Sequence, residues 1–420
     1  EVCLLEQPYI SSVDSGNLAG HLIALRQACL QMANRDEALR GRLQSLADRA
    51  YALVVEMDFA FLYDRARKLF TIGYHPDSFT ADSSFYDLLA SEARMASFIA
   101  IAKNDVPVEH WFRLSRGLNR TAGATALVSW SGSLFEYLMP ALVMRSWPFT
   151  ILDQSYRGVL ARHTAYARAR DVPWGVSESA YNLRDHHETY QYRGFGIPDL
   201  AFKRGLGRDL VIAPYATALA AQIDAPRSLA NLRALEGLGA LGEYGFCDAL
   251  DYTRHPPGQR FALVQAWMAH HVGMTLVALT NVLRQELWQA RFHTDPLVKS
   301  VELLLHERVP RRLVMRPAQT ARPDEAQPGP AGTQLVVRDV NTAEPSAPRV
   351  AFLGSVPYTV MLTHSGSGYS RYESLAVTRW RADSTRDDLG QFCYLKDVAQ
   401  GRVWSSARQP VGAAADWSHA

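Results

Sequence analysis

Helical periodicity of apolar residues over the first 300 residues most constrains the fold of this chain. The first periodic segment follows Asp14 or Ser15, either of which can cap a helix. Eight further segments are expected to be helical: 37–61, 83–103, 126–145, 151–170, 215–222, 228–238, 261–284 and 295–307. Many helices of similar length, without heptads or short repeats, favour an (α/α) barrel in which helix pairs form two layers and loops form a cleft.

Two residues mark interruptions of these helices. Pro140 lies inside the segment 126–145 and predicts a kink, because proline lacks the amide hydrogen that the helix needs. Gly239 follows the segment 228–238 and predicts its C-terminal end.

The composition changes after residue 311. Residues 315–333 contain four prolines and almost no large apolar side chain, which predicts an extended linker over 317–332. Short β-type runs follow at 334–337, 349–353, 358–363, 392–395 and 403–405. We therefore expect a helical domain over 1–311, a linker over 312–333, and part of an antiparallel β-sandwich over 334–420.

Charge and cysteine usage exclude several classes of function. The 44 basic and 42 acidic residues leave a net charge of +2, which argues against nucleic acid and polyanionic partners and favours a neutral ligand. The four cysteines lie far apart without a CxxC pair, which argues against a zinc site or a disulfide scaffold and favours a reducing compartment. No run of about 18 apolar residues occurs, so we expect no direct membrane insertion. The start at Glu1, without Met or a leader pattern, suggests a soluble piece of a longer protein.

Residues 171–196 have the composition of a binding cleft. Glu178 lies between two serines, and aromatic residues surround it in the sequence, whereas Pro173, Gly175 and Gly194 interrupt any helix. The apolar residues follow neither a 3.6 nor a 2.0 period, so packing explains the segment poorly. Aromatic faces, amides and an acid in one irregular segment suit a sugar-binding cleft, and the alternative is a surface loop with scattered aromatics.

Glu92 is the second acid of interest. In the predicted helix 83–103 it falls on the apolar face, which is formed by Phe85, Leu88, Leu89, Ala96 and Ile99. Burial of an unpaired carboxyl group raises its pKa toward the range useful for a general acid. The alternative is that Glu92 pairs with Arg94 or another arginine and ties two helices together.

Other polar residues carry weaker signals. Glu136, Asp248 and Asp251 can orient helices, bind sugar hydroxyls or catalyse. His270 and His271 are adjacent in an apolar helical segment and point about 100° apart, so they cannot both face one ligand as an HExxH pair does.

Seven sequence runs, in order, resemble the glycoamylase-like middle region of bacterial cyclic β-1,2-glucan synthases. The resemblance covers nearly all of 8–311, and the segment from about 348 resembles the N-terminal β-sandwich of the cellobiose-phosphorylase-type module that follows in those proteins. The runs are VDSGNLAGHL, YDLLASEARMASFIAIAKNDVPVEHWFRL, SWSGSLFEYLMPALVMRS, VPWGVSESAYN, GLGRDLVIAPYATALA, EYGFCDALDYT and AWMAHHVGM.

The resemblance implies a fold, an activity and a location. The fold is an (α/α)6-type helical barrel, incomplete at its N-terminus, followed by a partial antiparallel β-sandwich. The activity is closure of linear β-1,2-glucan into rings, and the other modules of the same large synthase are the partners. The location is the cytoplasmic face of the bacterial inner membrane, within a larger membrane protein of which this fragment is soluble.

The resemblance also implies roles for particular residues. Glu92, on the segment before the DVP turn, corresponds to a general acid, and Glu178, in the WGVSES run, corresponds to its partner and to the nucleophile of a ring-closing enzyme. Where the family usually has Tyr-Glu-Ala, this chain has Cys247 and Asp248, so we expect a changed contribution of this position to the sugar site.

Retaining chemistry suits ring closure, because a glycosyl-enzyme intermediate conserves the bond until a sugar hydroxyl arrives. It requires no metal or organic cofactor. The expected substrate-binding residues are Arg94, Trp111, Trp130, Glu136, Trp174, Tyr181, Asn182, Tyr190, Tyr192, Tyr215, Asp248, Asp251, Tyr252 and His270. Two rival functions are an inverting endo-β-1,2-glucanase and a noncatalytic glucan-binding segment.

Overall fold

The computed structural model describes residues 8–121, 123–185, 189–309, 350–355, 357–380, 389–405, 407, 408 and 411. The chain divides into two compact units, Glu1–Ala331 and Gly332–Ala420. The predicted linker 317–332 and the predicted strand 334–337 lie outside the described residues.

Helices dominate the described part of the first unit, as predicted. They are α1 Ser12–Ala33, α2 Arg40–Glu56, α3 Arg94–Ala102, α4 Glu109–Arg113, α5 Leu134–Leu138, α6 Ile151–Arg168, α7 Pro214–Ala220, α8 Ala225–Gly237, α9 Ala269–Leu283, α10 Leu287–Thr294 and α11 Pro296–Val301.

The helices form an inner and an outer layer. All seven residues of α7 are buried, and so are eight of the nine residues of α3, whereas α2 and α8 bury only three residues each. The inner helix α7 packs against α5, α8 and α9, and α1 packs against α2, α3 and α10. This layering is what an (α/α) barrel requires.

Short strands lie between the helices, so the described part of this unit is mainly but not entirely helical. They pair as small antiparallel sheets instead of forming one large sheet. They are β1 Ile10–Ser11, β2 Tyr63–Asp64, β3 Leu69–Thr71, β4 Gly73–His75, β5 Thr80–Ala81, β6 Phe85–Tyr86, β7 Leu118–Thr121, β8 Ala124–Leu127, β9 Ser179–Arg184, β10 Tyr190–Arg193, β11 Val211–Ile212, β12 Leu241–Gly242, β13 Gly245–Phe246, β14 Ala249–Asp251 and β15 Ala262–Val264.

The predicted helix 83–103 begins eleven residues later than expected. Phe85 and Tyr86 form strand β6, which pairs with β3. The hydroxyl of Ser91 then accepts a hydrogen bond from the amide of Ala93 and closes a local turn. Because such a turn competes with helix formation, α3 begins only at Arg94. Glu92 therefore lies in the turn before the helix, and the apolar-face argument made for it from the sequence is wrong.

Two other predicted helices are also shorter than expected. The segment 126–145 begins as strand β8, and α5 starts only at Leu134, after a capping box formed by Ser133 and Glu136. Pro140 begins a separate 3-10 helix, Pro140–Leu142, so it interrupts the segment instead of kinking a longer helix. The segment 261–284 begins with β15, and α9 follows from Ala269.

Other helix ends agree with the sequence or nearly so. Gly239, with φ of +82°, lies just beyond α8 and supplies the left-handed conformation that ends it. Helix α1 is capped by Ser11, not by Asp14 or Ser15 as predicted, because the Ser11 hydroxyl accepts from the amide of Asp14.

A hairpin forms where the sequence indicated an irregular loop. Strands β9 and β10 pair antiparallel, with Tyr192 opposite Ala180, and the register shifts between Tyr190 and Gln191. This irregularity breaks the alternation of apolar residues, which is why no period of two is visible in the sequence. Just before β9, Val176 forms a bridge with Ile212 of β11, and β9 packs against β14 and β15. These contacts fix the backbone on both sides of Glu178.

The described part of the second unit contains only strands, as predicted. Strands β16 to β19 form one antiparallel sheet in sequential order, and β20 pairs with β21. Their bounds are β16 Val350–Ser355, β17 Tyr358–Thr363, β18 Gly368–Tyr372, β19 Leu375–Ala376, β20 Tyr394–Lys396 and β21 Val403–Ser405. The strands β18 and β19 were not expected from the sequence.

The close approach of α1 to α3 predicts a matched pair of glycine substitutions. A Cβ atom at Gly16 would lie 2.5 Å from the Cβ of Ala96 and 2.6 Å from its backbone, whereas a Cβ at Gly41 in α2 would meet nothing within 4 Å. Gly16→Ala should lower the free energy of unfolding by about 1–3 kcal/mol through overpacking. Gly41→Ala should leave it unchanged or raise it by up to about 1 kcal/mol. Denaturant titration measures both, and equal effects would contradict this packing.

Candidate active site

Glu92 and Glu178 lie on neighbouring turns, each just before the element that positions it. Glu92 precedes α3, and Glu178 precedes β9. Both are half-buried, and neither forms an ion pair within the described residues. The charge of Glu178 contributes to raising the pKa of Glu92, so the two carboxyl groups are within electrostatic reach of each other.

The surroundings of Glu92 favour its protonated form. Burial, followed by the negative charge of Glu136, raises the pKa of Glu92 to about 8. Its carboxylate accepts a long hydrogen bond from the Ser91 hydroxyl, at 3.4 Å. Glu92 is therefore suited to donate a proton at neutral pH.

Arg94 does not pair with Glu92, so that alternative is wrong. Its side chain is buried, and its guanidinium donates to the carbonyl oxygen of Tyr137 at 2.7 Å and to the hydroxyl of Tyr156 at 2.6 Å. Arg94 thus ties α3 to α5 and α6 and does not reach the cleft as the expected substrate-binding residue would.

Glu136 is held by its own turn. Its carboxylate accepts hydrogen bonds from the Ser129 hydroxyl at 2.7 Å and from the amides of Ser131 and Gly132 at 3.0 Å. Burial nevertheless raises its pKa, and these hydrogen bonds oppose the rise. Glu136 is engaged in capping α5, and its charge acts on Glu92.

Glu178 has a different environment from Glu92. The hydroxyl of Tyr192 donates to its Oε1 at 2.7 Å. Burial raises the pKa of Glu178, whereas the hydrogen bond from Tyr192 and the charge of His271 lower it. The hydroxyl of Tyr215 donates to the backbone carbonyl of Glu178 at 2.8 Å and so holds its backbone.

Asp248 and His271 lie behind Tyr192. The Nδ1 atom of His271 lies 2.6 Å from Oδ1 of Asp248, and its Nε2 atom lies 3.2 Å from the hydroxyl of Tyr192. The other oxygen of Asp248 accepts the amide of Ala180 at 2.7 Å. The ring of Tyr215 stacks on His271, with centroids 3.6 Å apart. Asp248 thus faces His271 and β9, and both its oxygens are occupied.

The expected aromatic subsites fall into different places. Tyr192 and Trp130 are accessible, with 39% and 60% of their surface exposed. Trp111, only 1% exposed, packs against Phe98 in the core and cannot stack on a sugar. Tyr181 is buried beneath the guanidinium groups of two arginines, Arg193 and Arg254.

Two other expected subsite residues line a separate cavity. Trp174 and Tyr252 border a cavity of about 570 Å³, together with three arginines, whereas His271, Asp248 and Tyr215 border another cavity of about 200 Å³.

Tyr190 accepts a hydrogen bond from Arg184. His270 is exposed, and its Nε2 atom lies 3.3 Å from the hydroxyl of Tyr192. His270 therefore lies close to the residue that donates to Glu178.

Asp251 and Asn182 hold the backbone together. Asp251 is fully buried and accepts from the amides of Asn182, Thr253 and Arg254 at 2.9–3.0 Å. The side chain of Asn182 donates to the carbonyl of Arg254 at 2.8 Å. Both residues therefore connect β9 to the turn after β14 and leave little capacity for a sugar.

His271 contacts the site and Asp14 acts on it through its charge, but neither was among the expected binding residues. The sequence indicated that only one of two adjacent histidines could face a given ligand, yet both reach Tyr192 because its hydroxyl lies over the first turn of α9. Asp14 is exposed on the first turn of α1, and its charge acts on the pKa of both Glu178 and His270. A single sequence carries no signal for this approach of α1.

Other kinds of site find no support in the residues described. No cluster of three or more His, Cys, Asp or Glu side chains in these ranges could hold a metal ion. Among the same residues, no helix is both long and apolar enough to span a bilayer.

Asp251 and Asp171 provide a test of the structural role given to Asp251. Asp251→Asn should lower the free energy of unfolding by about 2–4 kcal/mol, because an amide places donors against buried backbone amides. Asp171 is exposed and pairs with exposed Arg260, so Asp171→Asn should change the free energy of unfolding by less than about 0.5 kcal/mol. Urea unfolding measures both variants. Unchanged stability of Asp251→Asn would contradict the structural role and leave Asp251 as a candidate for binding substrate.

Comparisons with known proteins agree with this architecture. Residues 84–296 match the family described as "Putative glucoamylase", and residues 333–419 match the glycosyl hydrolase 94 supersandwich domain. Two solved structures share the fold: a Bacteroides caccae protein with the same glucoamylase description, and the endo-β-1,2-glucanase of Talaromyces funiculosus bound to sophorose. The Bacteroides caccae protein is 17% identical with a TM-score of 0.54, and the match covers 70% of this chain and 71% of the Bacteroides chain. The Talaromyces enzyme is 15% identical with a TM-score of 0.56, and the match covers 71% of this chain and 64% of the enzyme.

A longer sequence relative confirms the resemblance found above. The cyclic β-(1,2)-glucan synthase NdvB of Rhizobium meliloti is 42% identical over 413 residues, which are 96% of this chain. The chain spans 14% of the length of that relative. The helical barrel predicted from the sequence is thus confirmed, and the chain belongs to the glucoamylase-like family, with a segment of the glycosyl hydrolase 94 supersandwich type after its helical domain.

Proposed function

We propose that the helical domain acts on β-1,2-glucan and closes linear chains into rings by retaining transglycosylation. The similarity to a cyclic β-(1,2)-glucan synthase, and the fold shared with endo-β-1,2-glucanases, support this substrate. In the larger membrane protein that the resemblance implies, at the cytoplasmic face of the inner membrane, the domain would receive its glucan from another module.

The observation that carries the proposal is the contrast between the two acids. Burial and the charge of Glu136 raise the pKa of Glu92 to about 8 and favour its protonated form, and the long hydrogen bond from Ser91 opposes this rise only in part. Burial raises the pKa of Glu178 as well, but the short hydrogen bond from Tyr192 and the charge of His271 oppose this rise and favour the ionised form. Two carboxyl groups whose environments separate their proton affinities are the arrangement of a general acid and a nucleophile.

In the first step, the Glu178 carboxylate attacks the anomeric carbon of a glucose unit inside the linear chain. The glycosidic bond breaks, its oxygen leaves with the proton of Glu92, and an ester forms between the sugar and Glu178. The reducing-end part of the chain departs, and Glu92 remains as a carboxylate.

In the second step, the free hydroxyl at the other end of the bound chain attacks the same anomeric carbon. Glu92 takes the hydroxyl proton, the ester bond to Glu178 breaks, and a ring is released. No water is consumed, so the acceptor end must be held near the ester more effectively than water. Accessible Trp130 and Tyr192 are the aromatic residues best suited to hold it.

An inverting endo-β-1,2-glucanase is the second candidate, and its support is the fold shared with the solved enzymes of that description. In that case water attacks in place of Glu178, and the products are shorter linear chains. A noncatalytic glucan-binding role would leave the glucan unchanged.

The products of a digest distinguish the three functions. Linear β-1,2-glucan incubated with the protein should yield species lighter by one water than linear chains of the same number of sugars, and mass spectrometry measures this difference. Reducing-end release without the lighter species would establish the hydrolase. Affinity without any new product would establish the binding role.

Glutamine variants of the two acids test their roles. Glu92→Gln should lose at least about a hundredfold in turnover on natural glucan, and far less on a glucan carrying a leaving group that needs no proton. Glu178→Gln should lose turnover on both substrates, because a better leaving group cannot replace the missing nucleophile. Steady-state rates measure this difference.

Glu136→Gln serves as a comparison, because it removes a neighbouring charge without removing either proposed reactive group. It should keep the dependence on leaving group seen in the unchanged protein. Equal losses for Glu92→Gln and Glu178→Gln on both substrates would contradict the roles assigned here.

A further inference from the structure

We propose that Tyr192, His271 and Asp248 form a proton relay that keeps Glu178 ionised in the cleft. The inference rests on the proposed function in one respect, namely that Glu178 must be a carboxylate to attack sugar. The relay residues would be positioning residues, since they act on the reaction through Glu178.

The geometry is a continuous chain of polar atoms. Oε1 of Glu178 lies 2.7 Å from the Tyr192 hydroxyl, which lies 3.2 Å from Nε2 of His271, and Nδ1 of His271 lies 2.6 Å from Oδ1 of Asp248. His271 and Asp248 are 3% and 4% exposed, whereas Tyr192 opens to the cleft. The stacked ring of Tyr215 and the bond from Ala180 to Asp248 keep the chain in place.

Counting donors gives the chain two proton arrangements. An ionised Asp248 can only accept, so Nδ1 of His271 carries a proton. Tyr192 has one proton and cannot donate to both Glu178 and His271. When Tyr192 donates to an ionised Glu178, a hydrogen bond between Tyr192 and His271 requires Nε2 of His271 to carry a proton and donate to the Tyr192 oxygen. When Glu178 is protonated, it donates to Tyr192, which donates to a neutral His271.

The two arrangements interconvert with protons conserved. The Glu178 proton passes to the Tyr192 oxygen while the Tyr192 proton passes to Nε2 of His271, and the reverse movement restores the acid. The net charge of Glu178, His271 and Asp248 is −1 in both arrangements. Glu178 can therefore ionise without adding net charge to a poorly solvated cleft, where an uncompensated charge is costly.

Other titratable groups face Glu178 from every side. Asp14 of α1 and Glu136 of α5 act against its ionisation through their charges. The charges of Glu92 and Glu178 act on each other, the Tyr215 hydroxyl of α7 donates to the backbone carbonyl of Glu178, and Nε2 of His270 in α9 lies 3.3 Å from the Tyr192 hydroxyl. The negative charges of Asp14 and Glu136 oppose a further negative charge on Glu178. A compensating proton on His271 therefore helps Glu178 to ionise.

Removal of the relay should raise the pH at which Glu178 ionises. Tyr192→Phe and His271→Gln should each raise it by about one to two pH units, the size expected for losing a hydrogen bond to a charged group. Infrared difference spectra of each protein against its counterpart with Glu178→Gln isolate the protonated carboxyl band, and need no glucan. The rising limb of kcat/KM against pH on linear β-1,2-glucan should move by the same amount.

The double variant sharpens the test. Because both residues act through one chain, Tyr192→Phe combined with His271→Gln should shift the ionisation little more than either alone. Tyr63→Phe and His255→Gln are the matched controls: the buried Tyr63 hydroxyl has no hydrogen-bond partner among the residues that the structure describes, and His255 is exposed on a turn. Neither should move the ionisation of Glu178.

The outcomes separate this relay from the proposed function. An unchanged Glu178 titration in folded Tyr192→Phe would overturn the relay, even if activity fell uniformly at all pH values. Since Tyr192 is partly exposed, this variant keeps the test decisive if His271→Gln fails to fold in a thermal melt. A shifted titration in a protein that leaves glucan unchanged would support the relay and overturn the proposed function.

Discussion

The buried carboxylate of Asp248 connects the elements on which the candidate site depends. One oxygen accepts the amide of Ala180 in β9, and the other meets His271 in α9. A buried carboxylate is stable only when its partners are in place, and removal of one partner of a buried charged pair typically costs about 3–5 kcal/mol. The hairpin β9–β10, the strand β14 and the helix α9 are therefore constrained together, and Glu178 is positioned by the result. Asp248, at the position where the family usually has glutamate, thus contacts His271 and β9.

The two candidate acids differ because their neighbours differ, although both are glutamates in half-buried turns. Glu92 lies near the charge of Glu136, whose own oxygens are satisfied by the cap of α5. Glu178 has a phenol donor and a histidine behind it. The cap of α5 and the contact between His271 and Asp248 behind Tyr192 therefore have a second effect, since Glu136 raises the pKa of Glu92 and Tyr192 opposes the rise at Glu178. Structural and chemical roles coincide in these residues.

Sequence patterns predicted the helical class, the ends of α6 and the strand β17 well, because a long amphipathic period or a β-branched run is local information. They placed Glu92 in a helix, because the apolar residues around it fit a period of 3.6. The pairing of β6 with β3 and the Ser91 turn override that period, and neither is visible from local spacing. Trp111 and Arg94 were expected at the sugar, yet both are buried, because aromatic and cationic side chains are equally useful for packing and for tying helices together.

The mainly helical first unit and the strands of the second could be predicted from the sequence alone, which also singled out the two glutamates of interest. Composition, periodicity and the family runs are properties of the chain that need no partner. The neighbours of each acid depend on how the chain folds: Tyr192 lies fourteen residues from Glu178 along the chain, Asp248 seventy and His271 ninety-three. Proton affinity depends on groups within a few ångströms in space, so contacts across such separations decide which acid keeps its proton.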